Sequence, residues 1–90
     1  MKITYDPTKN AKNIQDRGLA FERVVDLDWL TALIEEDIRK PYPEHRFQAI
    51  GFIEHRLFVV VFTSAPEGIR VISFRKANPR EVKLYEQAQP

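Results

Sequence analysis

The chain has 90 residues, a formal net charge of +1, 43% hydrophobic and 30% charged residues, and no cysteine. Such a length implies one small domain with one core. The missing thiols exclude a disulfide scaffold, a thiolate zinc site and a cysteine nucleophile. Lys2–Tyr5 alternates and reads as a short edge strand. Asp6 caps a helix that has Pro7 in its first turn and Gly18 as its C-terminal breaker, with Ala11 and Ile14 as a thin apolar stripe. A second helix is expected over Phe21 to Asp28, with Phe21, Val24 and Val25 on one face. Ala32–Ile38 fits neither period cleanly and is taken as a strand.

Arg39-Lys40-Pro41-Tyr42-Pro43-Glu44 is a loop, because its two prolines exclude a helix or a central strand. Arg46–Ile53 alternates as a strand, Glu54-His55-Arg56 turns, and Leu57–Thr63 is apolar on both faces, as a central strand should be. Ala65-Pro66-Glu67-Gly68 turns the chain into a strand over Ile69–Arg75. Asn78, Pro79 and Glu81 then have the spacing of a capping box with proline at the first helical position. The closing helix carries Val82 and Tyr85 near one face, and Gln87–Pro90 is expected to fray. These elements predict a single α+β domain over residues 1–90: a small antiparallel sheet with helices packed on one face.

Charge is unevenly placed. Glu22, Asp26, Asp28, Glu35, Glu36 and Asp37 are opposed in their segment only by Arg23, and Arg70, Arg75, Arg80, Lys76 and Lys83 in theirs only by Glu81. A chain polarised in this way can present a basic face to an anion, although charges scattered on a solvated surface would look the same. Strict alternation puts Val71, Ser73 and Arg75 on one face of the last strand and Ile72 and Phe74 on the other, in the core with Val60 and Phe62. Arg75 and Lys76 then lie beside the free amides of a helix N-terminus, which makes either a phosphate site or a plain strand-to-helix junction. His45 lies between Glu44 and Arg46, where it is a general base or a residue of a polar loop, and His55 belongs to a hairpin turn. Two isolated histidines form no usual metal-ligand set, and the three scattered glycines make no phosphate loop. Tyr42, Phe74 and Tyr85 lie near basic segments, and unpaired RNA bases stack on such rings while their phosphates need cations. The apolar run Leu57–Phe62 is too short to span a bilayer, and the N-terminus lacks the apolar stretch of a secretory signal, so a cytoplasmic protein without membrane contact is expected.

Several of these segments together resemble the BrnT family of bacterial type II toxins. They are Tyr5-Asp6-Pro7 with Lys9 and Asn13, Gly18 to Phe21-Glu22, Asp37, Glu44-His45-Arg46, the Leu57–Thr63 strand, and Ile72-Ser73-Phe74-Arg75-Lys76-Ala77 leading to Arg80-Glu81 and Tyr85. They cover nearly the whole chain in the family order. The chain departs from the pattern at Arg17, where histidine is usual, at Ala20, where a small polar residue is usual, and at Phe74, where alanine is frequent. The resemblance implies a RelE-like fold and an endoribonuclease toxin that cleaves RNA to arrest translation. It also implies neutralisation by a DNA-binding BrnA-type antitoxin, with operator DNA reached only through that partner. Glu44, Arg46, Ser73, Arg75, Glu81 and Tyr85 match the family pattern.

On this reading Arg75 and Arg46 stabilise the phosphorane, Glu44 is a base or orients Arg46, and Tyr85 is an acid or a stacking platform. Tyr42, Arg70, Ser73, Lys76 and Arg80 bind the substrate, Glu81 mainly caps its helix, and no metal or cofactor is required. A non-catalytic module that binds protein or nucleic acid through the same basic face is the competing reading. A hydrolase of small phosphorylated metabolites has no phosphate loop or metal set to support it.

Overall fold

The computed structural model describes residues 1–89. Five strands, β1 (Lys2–Tyr5), β2 (Leu33–Glu36), β3 (Phe47–Ile53), β4 (Arg56–Ala65) and β5 (Gly68–Lys76), form one sheet in the order β1-β5-β4-β3-β2. Two helices, α1 (Pro7–Arg17) and α2 (Pro79–Ala88), and a 3-10 helix over Phe21–Asp26 complete the α+β chain. The sheet is mostly but not wholly antiparallel. β1 runs parallel to β5, with Lys2 opposite Gly68 and Tyr5 opposite Val71. A Cβ at position 68 would collide with the Lys2 backbone, so glycine is needed where the two strands meet.

The helices do not share one face, contrary to the sequence expectation. Phe58, Val60 and Phe62 of β4 pack with Phe21, Val24, Leu27 and Phe74, whereas Leu57 and Val59 of the same strand pack with Ile50 and Tyr85. Alternation along β4 therefore places the 3-10 helix on one side of the sheet and α2 on the other. This is why β4, apolar on both faces, occupies the centre.

Alternation along β5 is broken. Val61 pairs with Ser73 but Phe62 pairs with Val71, which leaves Ile72 as the extra residue of a bulge. Val71 and Phe74 consequently share the core side, and Ile72, expected in the core, is only half-buried. Phe74 itself is fully enclosed, with its ring 5.3 Å from that of Phe58, and Val60 and Phe62 are buried as expected.

The segment after Gly18 ends at Asp26 and is 3-10 rather than α. Its buried residues Phe21 and Val24, continued by Leu27, recur every three positions, the period of a 3-10 turn, and Val25 faces outward. Ala20 supplies no cap; the Phe21 amide instead donates to Asn10 Oδ1 of α1 at 2.8 Å. α1 has the expected Asp6 cap and a left-handed Gly18 (φ 69°), but it buries no residue and Ile14 is exposed. Polar bonds hold it: Asn13 Nδ2 donates to the carbonyls of Leu19 (2.9 Å) and Phe74 (3.0 Å). The Phe74 carbonyl lies beyond the end of β1, so α1 closes the part of the β5 edge that β1 leaves open. At the C-terminus α2 continues through Ala88, with Gln89 as its cap, so the fraying expected from Gln87 is not seen there; Pro90 lies outside the described residues. No helix among the described residues is long and apolar enough to cross a membrane.

Candidate functional site

The junction from β5 to α2 is built by the capping box that the sequence spacing predicts. The Asn78 side chain accepts from the Glu81 amide at 2.9 Å, and Glu81 Oε1 accepts from the Asn78 amide at 2.9 Å. Glu81 is buried, and its carboxylate also receives Arg75 end-on, Nη1 to Oε1 at 2.7 Å and Nη2 to Oε2 at 2.8 Å. Glu81 is therefore more than a cap: it fixes the guanidinium of Arg75. The bond to Arg75, and then the Asn78 amide, hold the Glu81 carboxyl below its ordinary pKa against the opposing effect of burial. The same bond raises Arg75, against burial and the nearby charge of Arg39. The helix end itself offers less than the sequence suggests. The Asn78 and Glu81 amides are engaged in the cap and Pro79 has none, so the Arg80 amide is what the first turn leaves to a ligand.

Arg75 lies opposite Val59, on the side of the sheet that carries α2. α2 covers only part of that side. Beside it opens a cleft of about 500 Å3 lined by Arg39, Gln48, Arg75, Asn78, Arg80 and Glu81, among others. Gln48 reaches it because it neighbours Ile50 at the next same-side position of β3. Arg39 enters from the loop after β2 on a second acid clamp. Its Nε and Nη2 donate side-on to Asp37 Oδ1 and Oδ2, each at 2.8 Å. The Asp37 carboxylate is buried while Arg39 stays exposed, and the guanidinium draws the carboxyl down from 3.8 to about 2.

Tyr42, Glu44 and Arg46 come together in a second patch. The Arg46 guanidinium lies 4.2 Å from the centroid of the Tyr42 ring, a cation–π contact that occupies one face of the ring expected to stack on RNA bases. Arg46 Nε is buried without a hydrogen bond; its nearest acid, Glu44, stands 3.5 Å away without hydrogen-bond geometry. His45 Nδ1 pairs instead with Glu36 at 2.7 Å, in the open. Between the arginine cleft and this patch lies a hollow lined by Glu35, Glu36, Asp37, Ile38, Arg39 and Gln48, which has residues in common with each.

Other residues singled out from sequence lie elsewhere. Ser73 is half-buried against α1 in a separate cleft with Lys9, Lys12 and Arg17. Arg70 is exposed, opposite Thr4 and Thr63, and Lys76 is exposed at the end of β5. Tyr85 is buried among Ile50, Leu57 and Val59, donates its hydroxyl to the Thr31 carbonyl at 3.2 Å, and meets Phe52 edge-on at 5.4 Å. It lines a larger groove between α2 and the β3–β4 hairpin, not the arginine cleft. His55 sits in that hairpin turn, as expected, and is exposed. Sequence reasoning missed Arg39 and Gln48 as site residues; the available signals were the Asp-x-Arg spacing of Asp37 and Arg39 and, for Gln48, its place on the face of its strand opposite Phe47 and Ala49.

The junction, with its paired Arg75 and Glu81, falls within the segment that corresponds to a known family. A family model described as "Ribonuclease toxin, BrnT, of type II toxin-antitoxin system" matches residues 5–81. No curated protein matches the chain. The matched segment begins in β1, ends on Glu81 and spans most of the chain, so this protein belongs to the BrnT family, the ribonuclease toxins of type II toxin-antitoxin systems.

Proposed function

We propose that this chain is an endoribonuclease whose phosphate-binding centre is the Arg75 cleft, and that it arrests translation by cleaving RNA in the cytoplasm. The single observation that carries the reading is Arg75, fixed end-on by the buried Glu81 and lining an open cleft with Arg80. A guanidinium fixed in advance stabilises charge developing on a phosphorane without reorganising during the step. The RNA 2′-hydroxyl attacks the adjacent phosphorus, the P–O5′ bond breaks, and the proton lost from the 2′-oxygen is balanced by one delivered to the leaving 5′-oxygen. No metal is needed for this chemistry. Arg46, in the neighbouring patch, is the second cation, and Glu44 is its neighbouring base or orienting acid. Arg80 and Tyr42 contact the substrate. Tyr85 takes no part, because its hydroxyl is committed to Thr31 inside the fold. The whole chain acts as one toxin domain with a RelE-like mode of action, and its protein antitoxin is of the BrnA type.

The test is cleavage of a defined single-stranded RNA by purified protein, with and without a chelator. The parent should cut equally in both, yielding a 2′,3′-cyclic phosphate end. Arg75→Ala should be nearly inactive, and Arg75→Lys should recover only part of the rate, because lysine supplies charge without the fork. Equal cutting by Arg75→Ala would place the chemistry elsewhere, and loss of activity in chelator would overturn the metal-free mechanism.

A further inference from the structure

The arginine cleft holds a second fixed cation, and it has more to offer a ligand than Arg75. A guanidinium carries five N–H donors. Arg75 binds Glu81 through both terminal nitrogens and also donates Nη1 to the Lys76 carbonyl, so its inner Nε–H and one Nη2–H remain. Arg39 binds Asp37 side-on through Nε and Nη2, which leaves the other Nη2–H and the whole Nη1 end free. Its side chain is 69% exposed, against 32% for Arg75. Arg39 and Gln48 line the same cleft as Arg75.

We propose that Arg39 and Gln48 form a second phosphate subsite, which holds an RNA backbone phosphodiester neighbouring the one at Arg75. Asp37 is the positioning residue that presents the free end of Arg39. The subsite rests on the RNA-cleaving reading of the cleft. Phosphodiester is the ligand class because a planar cationic fork and a neutral amide donor match its two anionic oxygens, while Pro79 and Leu84 form the small apolar part of the lining. Asp37 and Glu81 are each already paired with an arginine, so neither repels the incoming phosphate as a bare charge; Glu35, opposite Gln48 in the β2–β3 ladder and exposed, is the carboxylate that the two arginines must outweigh. Two fixed arginines side by side would also set the direction in which a strand crosses the cleft, with Arg75 at the reacting phosphate and Arg39 at its neighbour.

The test uses a short single-stranded RNA methylated at every 2′-oxygen, which binds without being cut, and measures its Kd over a series of salt concentrations, with thermal melting of each variant. Arg39→Ala should bind roughly ten- to a hundred-fold more weakly. Its salt dependence should lose about 0.7 of a log unit per log unit of salt, the value of one single-strand phosphate contact. Arg39→Lys should keep the salt slope and recover part of the affinity. Asp37→Asn should also keep the slope, since the charge remains, while binding weakens because the guanidinium is no longer held. Arg39→Ala with parental Kd and slope would overturn the subsite. So would a loss that tracks a lower melting temperature and is not recovered in Arg39→Lys. A parent protein that neither binds nor cuts RNA would overturn the RNA reading itself, whereas a parent that cuts beside an Arg39→Ala variant that binds equally well removes the subsite alone.

Discussion

Phe74 and Arg75 are neighbours in β5 and point to opposite sides of the sheet, and the two sides are built differently. On the side of Phe74, the 3-10 helix and Trp29 close over Val60, Phe62 and Val71, so the cover is apolar and complete. On the side of Arg75, α2 seals only Ile50, Leu57 and Val59, and the rest of the surface carries Gln48, Arg39 and Arg75. One side is held by burial, whose effect scales with the apolar area removed from water. The other has a smaller apolar cluster under α2 and, beside it, ion pairs that contribute modestly to folding but leave oriented donors facing solvent. A strand that alternates between these sides can therefore serve stability and chemistry at adjacent positions.

The division predicts opposite outcomes for the two neighbours. Phe74→Ala should lower stability by about 3–5 kcal/mol through lost transfer energy and a cavity beside Phe58, read by denaturant unfolding. A cost below about 1 kcal/mol would mean that the closed side repacks and is not the source of stability. Any loss of cleavage in this variant should follow its unfolded fraction.

Arg75→Ala should slow RNA cleavage by about a hundred- to a thousand-fold. It should not be free of structural cost, as the sequence alone would suggest, because Glu81 stays behind in a buried position with its strongest partner gone. A loss of about 1–3 kcal/mol is expected. The variant should still fold at room temperature, and cleavage measured there separates the two effects. Rates that fall only in proportion to melting would assign Arg75 to the fold instead.

How far these outcomes could be foreseen differs between elements. The Asn78-Pro79-Glu81 cap and the Asp6–Gly18 helix were legible because capping is local chemistry at fixed spacing. The central place of β4 was legible because a strand covered on both faces loses its alternation. The side to which α2 packs was not, since it depends on tertiary packing and not on the helix's own pattern. Val71 and Ile72 were misplaced because period-two reasoning assumes an unbroken ladder, and the bulge at Ile72 reverses the phase between Val71 and Phe74. Phe21 and Val24 satisfy helical and 3-10 periods alike, so six residues could not decide between them. Arg39 was missed for a different reason: beyond the Asp-x-Arg spacing, the Asp37 fork depends on the path of a loop, and no pattern of apolar residues records it.

The third expected effect concerns the link between the cap and the cation. Glu81→Ala should cost about 1–2 kcal/mol, since it removes the acceptor of the Asn78 amide along with the Arg75 fork. Cleavage should fall because Arg75 is released, and the fall should lie mainly in kcat, since a loosened cation still attracts RNA. Glu81→Gln, which keeps an acceptor for the Asn78 amide, should restore most of the stability and little of the rate. If Glu81→Gln matches the parent in rate, the fork does not orient Arg75 for chemistry.

The smallest effect separates the two sides by pH. The Asp37 carboxyl is held down to about 2 from an ordinary 3.8, first by its bond to Arg39. A carboxyl with a lowered native value stabilises the fold fully above the ordinary value and loses that contribution as pH falls through the native one. Glu81, also lowered, acts in the same direction. The open side should therefore weaken as pH drops from 3.8 towards 2, while the apolar contacts around Phe74, which bind no protons, stay constant. Melting temperatures across this window should fall less steeply in Asp37→Asn than in the parent, and Phe74→Ala should run parallel to the parent at a lower level. An Asp37→Asn profile as steep as the parent's would mean that Arg39 does not hold the carboxylate in solution, and the side-on clamp that presents its free end would go with it.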